Sequence, residues 1–160
     1  MKKQQSGFTM IELIMVIVIL GILAAFALPR FANFGTDARV AAMQGLAGAV
    51  KSASAIAHAS ALVTPPANGS ITLEGTTIAM SGTYPAPTVL GIGAAAQLEE
   101  SGADYTVSAS GNVLTVASTS NSACLFTYTK SFTAASGSTA AVDPAPTIDT
   151  SELTKANCGG

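Results

Sequence analysis

Residues Phe8 to Leu28, "FTMIELIMVIVILGILAAFAL", form a run of 21 in which only Thr9 and Glu12 are polar. At 1.5 Å per helical residue the run is roughly 31 Å long, matching the ~30 Å hydrocarbon core of a bilayer. Lys2 and Lys3 precede it, so the positive-inside rule keeps the N-terminus in the cytoplasm and exports the bulk of the chain. A cleavable secretory signal competes with this reading, with Ala25-Phe26-Ala27 as a small-x-small site. Two features oppose it. The run exceeds the usual ~7–15-residue apolar core of a signal, and Glu12 costs ~2.5–3.5 kcal/mol near the centre of a lipid-embedded helix, less near its edge. The carboxylate needs a reason.

Gly7-Phe8-Thr9-Met10-Ile11-Glu12-Leu13 resembles the processing motif of type IV prepilins, joining a short basic leader, Gly before Phe, and Glu four residues into the apolar run. The resemblance implies cleavage after Gly7 by a membrane-embedded prepilin peptidase and N-methylation of the new terminus, Phe8. The apolar segment then stays on the mature protein. It also implies that Glu12 meets the Phe8 amine of a neighbouring subunit, which fits the rule that a buried charge is tolerated only when paired. A Glu12 merely solvated in the headgroup layer remains open as the alternative.

Of 160 residues, 49% are hydrophobic and 10% charged, with net charge −2 and no Trp, so the exported surface relies on Ser, Thr, Asn and Gly. A pI of about 5.2 and the absence of a basic stripe remove the electrostatic footprint that phosphate binding needs, and nucleic acid is not an expected partner.

Pro29 removes a backbone donor and is expected to kink or loosen a continuing helix. The Ala-rich stretch from Phe31 to about Leu62 predicts that the helix resumes. Arg30, Asp37, Gln44, Lys51 and His58 recur every seven residues as a polar stripe. Val40, Met43, Ala47, Val50, Ala57 and Ala61 fall at three- and four-residue steps, a face to lay against a sheet. Gly45 and Gly48 each cost about 1 kcal/mol relative to Ala; they mark either a close approach or simple tolerance. Pro65-Pro66 and Asn68-Gly69 end the helix.

Ser70 to Met80 reads as a hairpin turning at Glu74-Gly75, and "GAAAQLEES" as a helical turn or two. Tyr105–Ala109, Val113–Ala117 and Ala123–Thr129 read as an antiparallel meander punctuated by Gly111-Asn112 and Ser120-Asn121. In its last strand Cys124, Phe126 and Tyr128 share one face, with Leu125 and Thr127 on the other. The segment after Lys130 is poor in large apolar groups and rich in turn formers, so it is not expected to fold unaided. Cys124 and Cys158 are the only cysteines, and export places both in an oxidising compartment, which predicts a disulfide worth ~3–4 kcal/mol in the chain-entropy model. A metal site would need more ligands than two thiols.

No catalytic constellation stands out. His58, the only histidine, is expected to be solvated on the polar stripe; Glu99 and Glu100 are adjacent and point apart. Asn68-Gly69-Ser70 fits a glycosylation pattern, but a turn explains it.

The layout resembles type IVa pilins over the whole chain, and "ALPRFANFGTDARVAAMQGLAGAVKSASAIAHA" resembles the mannose-sensitive haemagglutinin (MSHA) pilin subgroup, whose members mediate surface attachment in aquatic Gram-negative bacteria. The implied fold is α+β: a long N-terminal helix packed on a small antiparallel sheet, with a disulfide-bounded C-terminal region. Expected divisions are a cleaved leader, residues 1–7; a transmembrane and filament-core helix half, 8–28; an amphipathic half, 29–62; and a head, 63–160, containing the disulfide-bounded region 124–158. The implied function is polymerisation, as a non-enzymatic, cofactor-free major pilin subunit of an attachment or motility filament. Alternatives are a type II secretion pseudopilin, a minor pilin, or an inner-membrane-anchored periplasmic domain. The expected partners are identical subunits in a helical filament, the prepilin peptidase, an inner-membrane platform with its ATPase, and minor pilins. The expected location is the inner membrane before assembly and the cell surface after it.

Overall fold

The computed structural model describes residues 8–136 and 141–159, with residues 28–33 described by backbone alone. The long helix α1 spans Met10–Val63. The chain divides into two compact units between Gly35 and Thr36.

In the first unit α1 has no core to cover. Ile11, Leu13, Val16, Ile19, Leu20 and Leu23 are all exposed. The stretch Met10–Ala27 has a mean hydropathy of 2.8 and none of it is buried. A helix apolar on every side suits a membrane or a packed helical assembly rather than water. α1 is helical through Pro29 and on to Val63. Proline removes one donor, and the helical ladder on either side still defines the turn.

In the second unit the apolar stripe does what its spacing dictates. Met43, Ala47, Val50, Ala57 and Ala61 are buried, with Val40 packed at the margin. Ser54 is buried on the same face. Gly45 and Gly48 have nothing within 4 Å of where a Cβ would stand, so no close approach among the described residues requires them.

α1 ends before Pro65, and Asn68 and Gly69 take φ of 55° and 72°, the left-handed turn their types favour. β1 (Ser70–Leu73) and β2 (Thr76–Ser81) form the expected hairpin in register Leu73↔Thr76. Glu74 and Gly75 at φ 47° and 83° make the two-residue turn whose twist matches the strands. β3 (Tyr84–Pro85) completes a first, three-stranded sheet in order β1-β2-β3.

The helical turn arrives earlier than the sequence predicts, as a π-helical turn at Val89–Gly93. Thr88 caps it, its hydroxyl accepting from the Gly91 amide at 3.0 Å. Gly91 has no alternative there, because a Cβ would run into the Ala86 carbonyl. Gln97, at φ 54°, follows this turn.

β4 (Tyr105–Ser110), β5 (Val113–Ser118) and β6 (Leu125–Thr129) are the expected meander. β7 (Thr147–Asp149) joins β6 antiparallel, giving a second sheet in order β4-β5-β6-β7. α2 (Lys155–Cys158) closes the chain and Thr154 caps it. Two sheets thus replace the single one expected. They are tied where the buried Tyr128 hydroxyl donates to the Pro85 carbonyl at 2.9 Å. The main core packs Met43, Ala47 and Val50 of α1 against Leu114, Val116, Phe126 and Tyr128; a smaller one packs Ala57 and Ala61 against Ile71 and Ile78.

Candidate functional site

Two places concentrate polar chemistry, one in each unit. In the first unit Thr9 stands just before α1 and Glu12 lies in its first turn. The Glu12 Oε2 atom accepts from the Thr9 amide at 2.9 Å and from the Thr9 hydroxyl at 2.7 Å, while the Glu12 amide donates back to the Thr9 hydroxyl at 3.3 Å. This is a capping box, in which a Thr and a Glu three residues on satisfy donors that the start of a helix leaves orphaned. Thr9-Met10-Ile11-Glu12 carries that signature in the sequence, where Glu12 is read as a partner for another subunit or as a solvated interfacial group.

The carboxylate therefore has a local duty that lowers the cost of keeping it near lipid. Both Thr9 bonds fall on Oε2, and Phe8, Ile11, Glu12, Met15 and Val16 line one shallow, largely apolar hollow. A carboxylate at the edge of an apolar hollow can accept an ammonium. Phe8 is 82% exposed. Gly7, the other expected processing residue, lies outside the described residues.

In the second unit Cys124 and Cys158 form the expected disulfide, both fully buried. Arg39 of α1 donates to the Cys158 carbonyl, and the Asn121 amide donates to the Gly159 carbonyl at 2.7 Å. At the far end of β6 lies a cluster the sequence did not disclose. Lys130 is buried and ion-paired with Asp143, whose other oxygen accepts from the amide and hydroxyl of Thr83 at 2.8 and 2.7 Å. Burial alone raises the Asp143 pKa, but hydrogen bonds from Lys130 and Thr83 outweigh it and hold the carboxyl below its ordinary range.

His58 corrects an expectation. It is half-buried and stacks on Tyr84 with ring centroids 3.8 Å apart, its Nδ1 atom 3.1 Å from the Thr83 carbonyl. Glu99 and Glu100 are exposed and converge on nothing. No group of three or more His, Cys, Asp or Glu able to hold a metal occurs among the described residues.

Residues 2–28 match the family described as the prokaryotic N-terminal methylation motif. Over this N-terminal stretch the chain is similar to type IV pilins and to related proteins that carry the motif. It is 54% identical over 52 residues to the type IV narrow pilus major component PilA5 of Thermus thermophilus, covering 32% of this chain and 45% of that protein. It is 42% identical over 53 residues to the type IV major fimbrial protein FimA of Dichelobacter nodosus, covering 33% of this chain and 34% of FimA. Type II secretion system core protein G of Pseudomonas aeruginosa is 48% identical over 44 residues, covering 28% of this chain and 31% of that protein. The chain thus spans less than half the length of these curated relatives. No solved structure matches it.

Proposed function

We propose that this chain is the major subunit of a type IV pilus, made as a membrane-anchored precursor and polymerised through α1 into a surface filament for attachment or motility. One observation carries the reading: a Gly7-Phe8 junction followed by Glu12 at the head of a helix whose apolar side chains have nothing to cover them. A prepilin peptidase cleaves after Gly7, Phe8 is N-methylated, and Glu12 takes the Phe8 ammonium of a neighbour.

Extraction needs a machine. At −0.3 to −0.6 kcal/mol for each good apolar residue, the segment holds itself in lipid by roughly 5–10 kcal/mol. A filament accepts it only by replacing lipid with packed helices, driven by an inner-membrane platform and a cytoplasmic ATPase. Minor pilins join the same assembly.

Identity to a type II secretion core protein favours a second reading, a pseudopilin of a secretion apparatus. Mass spectrometry of filaments sheared from cells separates the two. A dominant chain beginning at N-methyl-Phe8 supports the pilus subunit. A chain confined to the inner membrane, with a secretion defect on deletion, supports the pseudopilin.

A further inference from the structure

β6 is bracketed by Cys124 just before it and Lys130 just after it. Each bracketing residue holds a different part of the C-terminal segment, Cys124 through its bond to Cys158 and Lys130 through its ion pair to Asp143. Between them β7 pairs with β6 from Thr127↔Asp149 to Thr129↔Thr147. The segment from Asp143 to Cys158 therefore runs back along β6 and is fastened at both ends.

The ionic end is as fully built as the covalent one. The Lys130 side chain is wholly buried and its ammonium donates to Asp143 and to the carbonyls of Ser131 and Pro144, at 2.9 and 2.8 Å for the last two, using all three N–H groups. It also lies 5.2 Å from the centre of the Tyr84 ring on which His58 of α1 stacks. Gly82 is required beside it: at φ +70°, a Cβ there would stand 2.5 Å from the Asp143 carboxylate. The groups facing Asp143 are thus Lys130, Thr83 and, next to them, Tyr84 and His58.

The two fastenings differ in what they need. The ion pair closes a separation of 13 residues and requires only folding; the disulfide closes 34 and requires an oxidant. Shorter loops lose less entropy on closing. We propose that the Lys130–Asp143 clasp and β7 form in the reduced chain and bring Cys158 to Cys124, so that Lys130 and Asp143 are positioning residues for disulfide formation. The capped α2 and the bonds from Arg39 and Asn121 then hold the Cys158 end in place. With a low-molecular-weight disulfide as oxidant, one cysteine thiolate attacks it and expels one thiolate. The second cysteine displaces the other, and the two cysteine protons and two electrons leave with the two reduced thiols.

The test uses the full chain in detergent, reduced and then exposed to glutathione disulfide, with free thiols counted over time by alkylation. Asp143→Asn and Lys130→Met should each slow disulfide formation about tenfold or more, because removing one partner of a buried pair is strongly destabilising. Glu100→Gln, an exposed control, should oxidise at the parental rate. A second measurement needs no oxidation: in the Cys124→Ser/Cys158→Ser chain, the β7 amides that pair with β6 should exchange slowly with solvent, and adding Asp143→Asn should make them fast. Parental oxidation rates in the Asp143→Asn chain, or rapid exchange of β7 in the double-serine chain, would overturn the proposal.

Discussion

Replacing Glu12 with Gln separates the two duties assigned to its carboxylate. Within its own chain Glu12 accepts from the Thr9 amide and hydroxyl at 2.9 and 2.7 Å, and a Gln oxygen at the same position can take both bonds. The start of α1 should survive, since even complete loss of a cap costs only about 0.5–2 kcal/mol. Insertion should be at least as good as in the parent, because a charge costing up to ~2.5–3.5 kcal/mol in lipid is gone. Assembly should fail. A neighbour's Phe8 ammonium left unpaired in an apolar core costs ~3–5 kcal/mol, a factor of ~10²–10⁴ in the equilibrium between lipid and filament. Thr9→Ala is the complement: it removes the hydroxyl's part in the capping box and keeps the charge, so filaments should persist. Immunoblots of sheared filaments and of the membrane pool, in cells lacking a parental copy, read both variants. Parental filament yield from Glu12→Gln would refute the pairing. Equal loss of filaments in both variants would assign the defect to the helix start instead.

Gly7→Leu should block removal of the leader, seen as a precursor-sized band, since the peptidase must admit a small residue there; normal processing would sink the cleavage assignment. Phe126→Ala should lower the unfolding free energy by ~3–5 kcal/mol in urea titrations, because Phe126 is fully buried in the main core; a loss under about 1 kcal/mol would show that the core collapses around the gap. Burial, opposed by a hydrogen bond with Ser54, pushes the Tyr128 hydroxyl up to about 12 from its ordinary 10. A raised value favours the neutral form in the fold, so this stability is complete below pH ~10 and about 2–3 kcal/mol of it is lost as pH climbs to ~12. Tyr128→Phe should flatten that alkaline decline, and an unchanged decline would locate it elsewhere.

The parts legible in the sequence are those whose cause is local or periodic. Three- and four-residue spacing located the buried face of α1, Pro65-Pro66 its end, Glu74-Gly75 the first hairpin, and alternation around Phe126 and Tyr128 the inward side of β6. The two cysteines paired as export chemistry dictates. What escaped depends on residues far apart in the chain. β7 is three residues long and makes sense only beside β6, and nothing near Lys130 or Asp143 in sequence shows that they meet. His58 follows the heptad of a polar stripe, yet Tyr84 claims its ring. Ser54 interrupts the apolar stripe and is buried, its hydrogen bond with Tyr128 accounting for a polar residue there. The capping box was a different miss, since Thr9-x-x-Glu12 is readable without any structure.

Fastening the C-terminal segment at both ends of β6 also decides how it can be torn away. A strand held at one end is peeled, its hydrogen bonds breaking singly and each at low force. A strand held at both ends offers no loose end, so tension along β6 loads the bonds of Thr127 to Thr129 together, in shear. The ionic fastening gives way to acid and the covalent one to reductant, so either insult frees one end and turns shear into peeling from that end. The last strand of this chain resists in shear only while two chemically unrelated locks both hold.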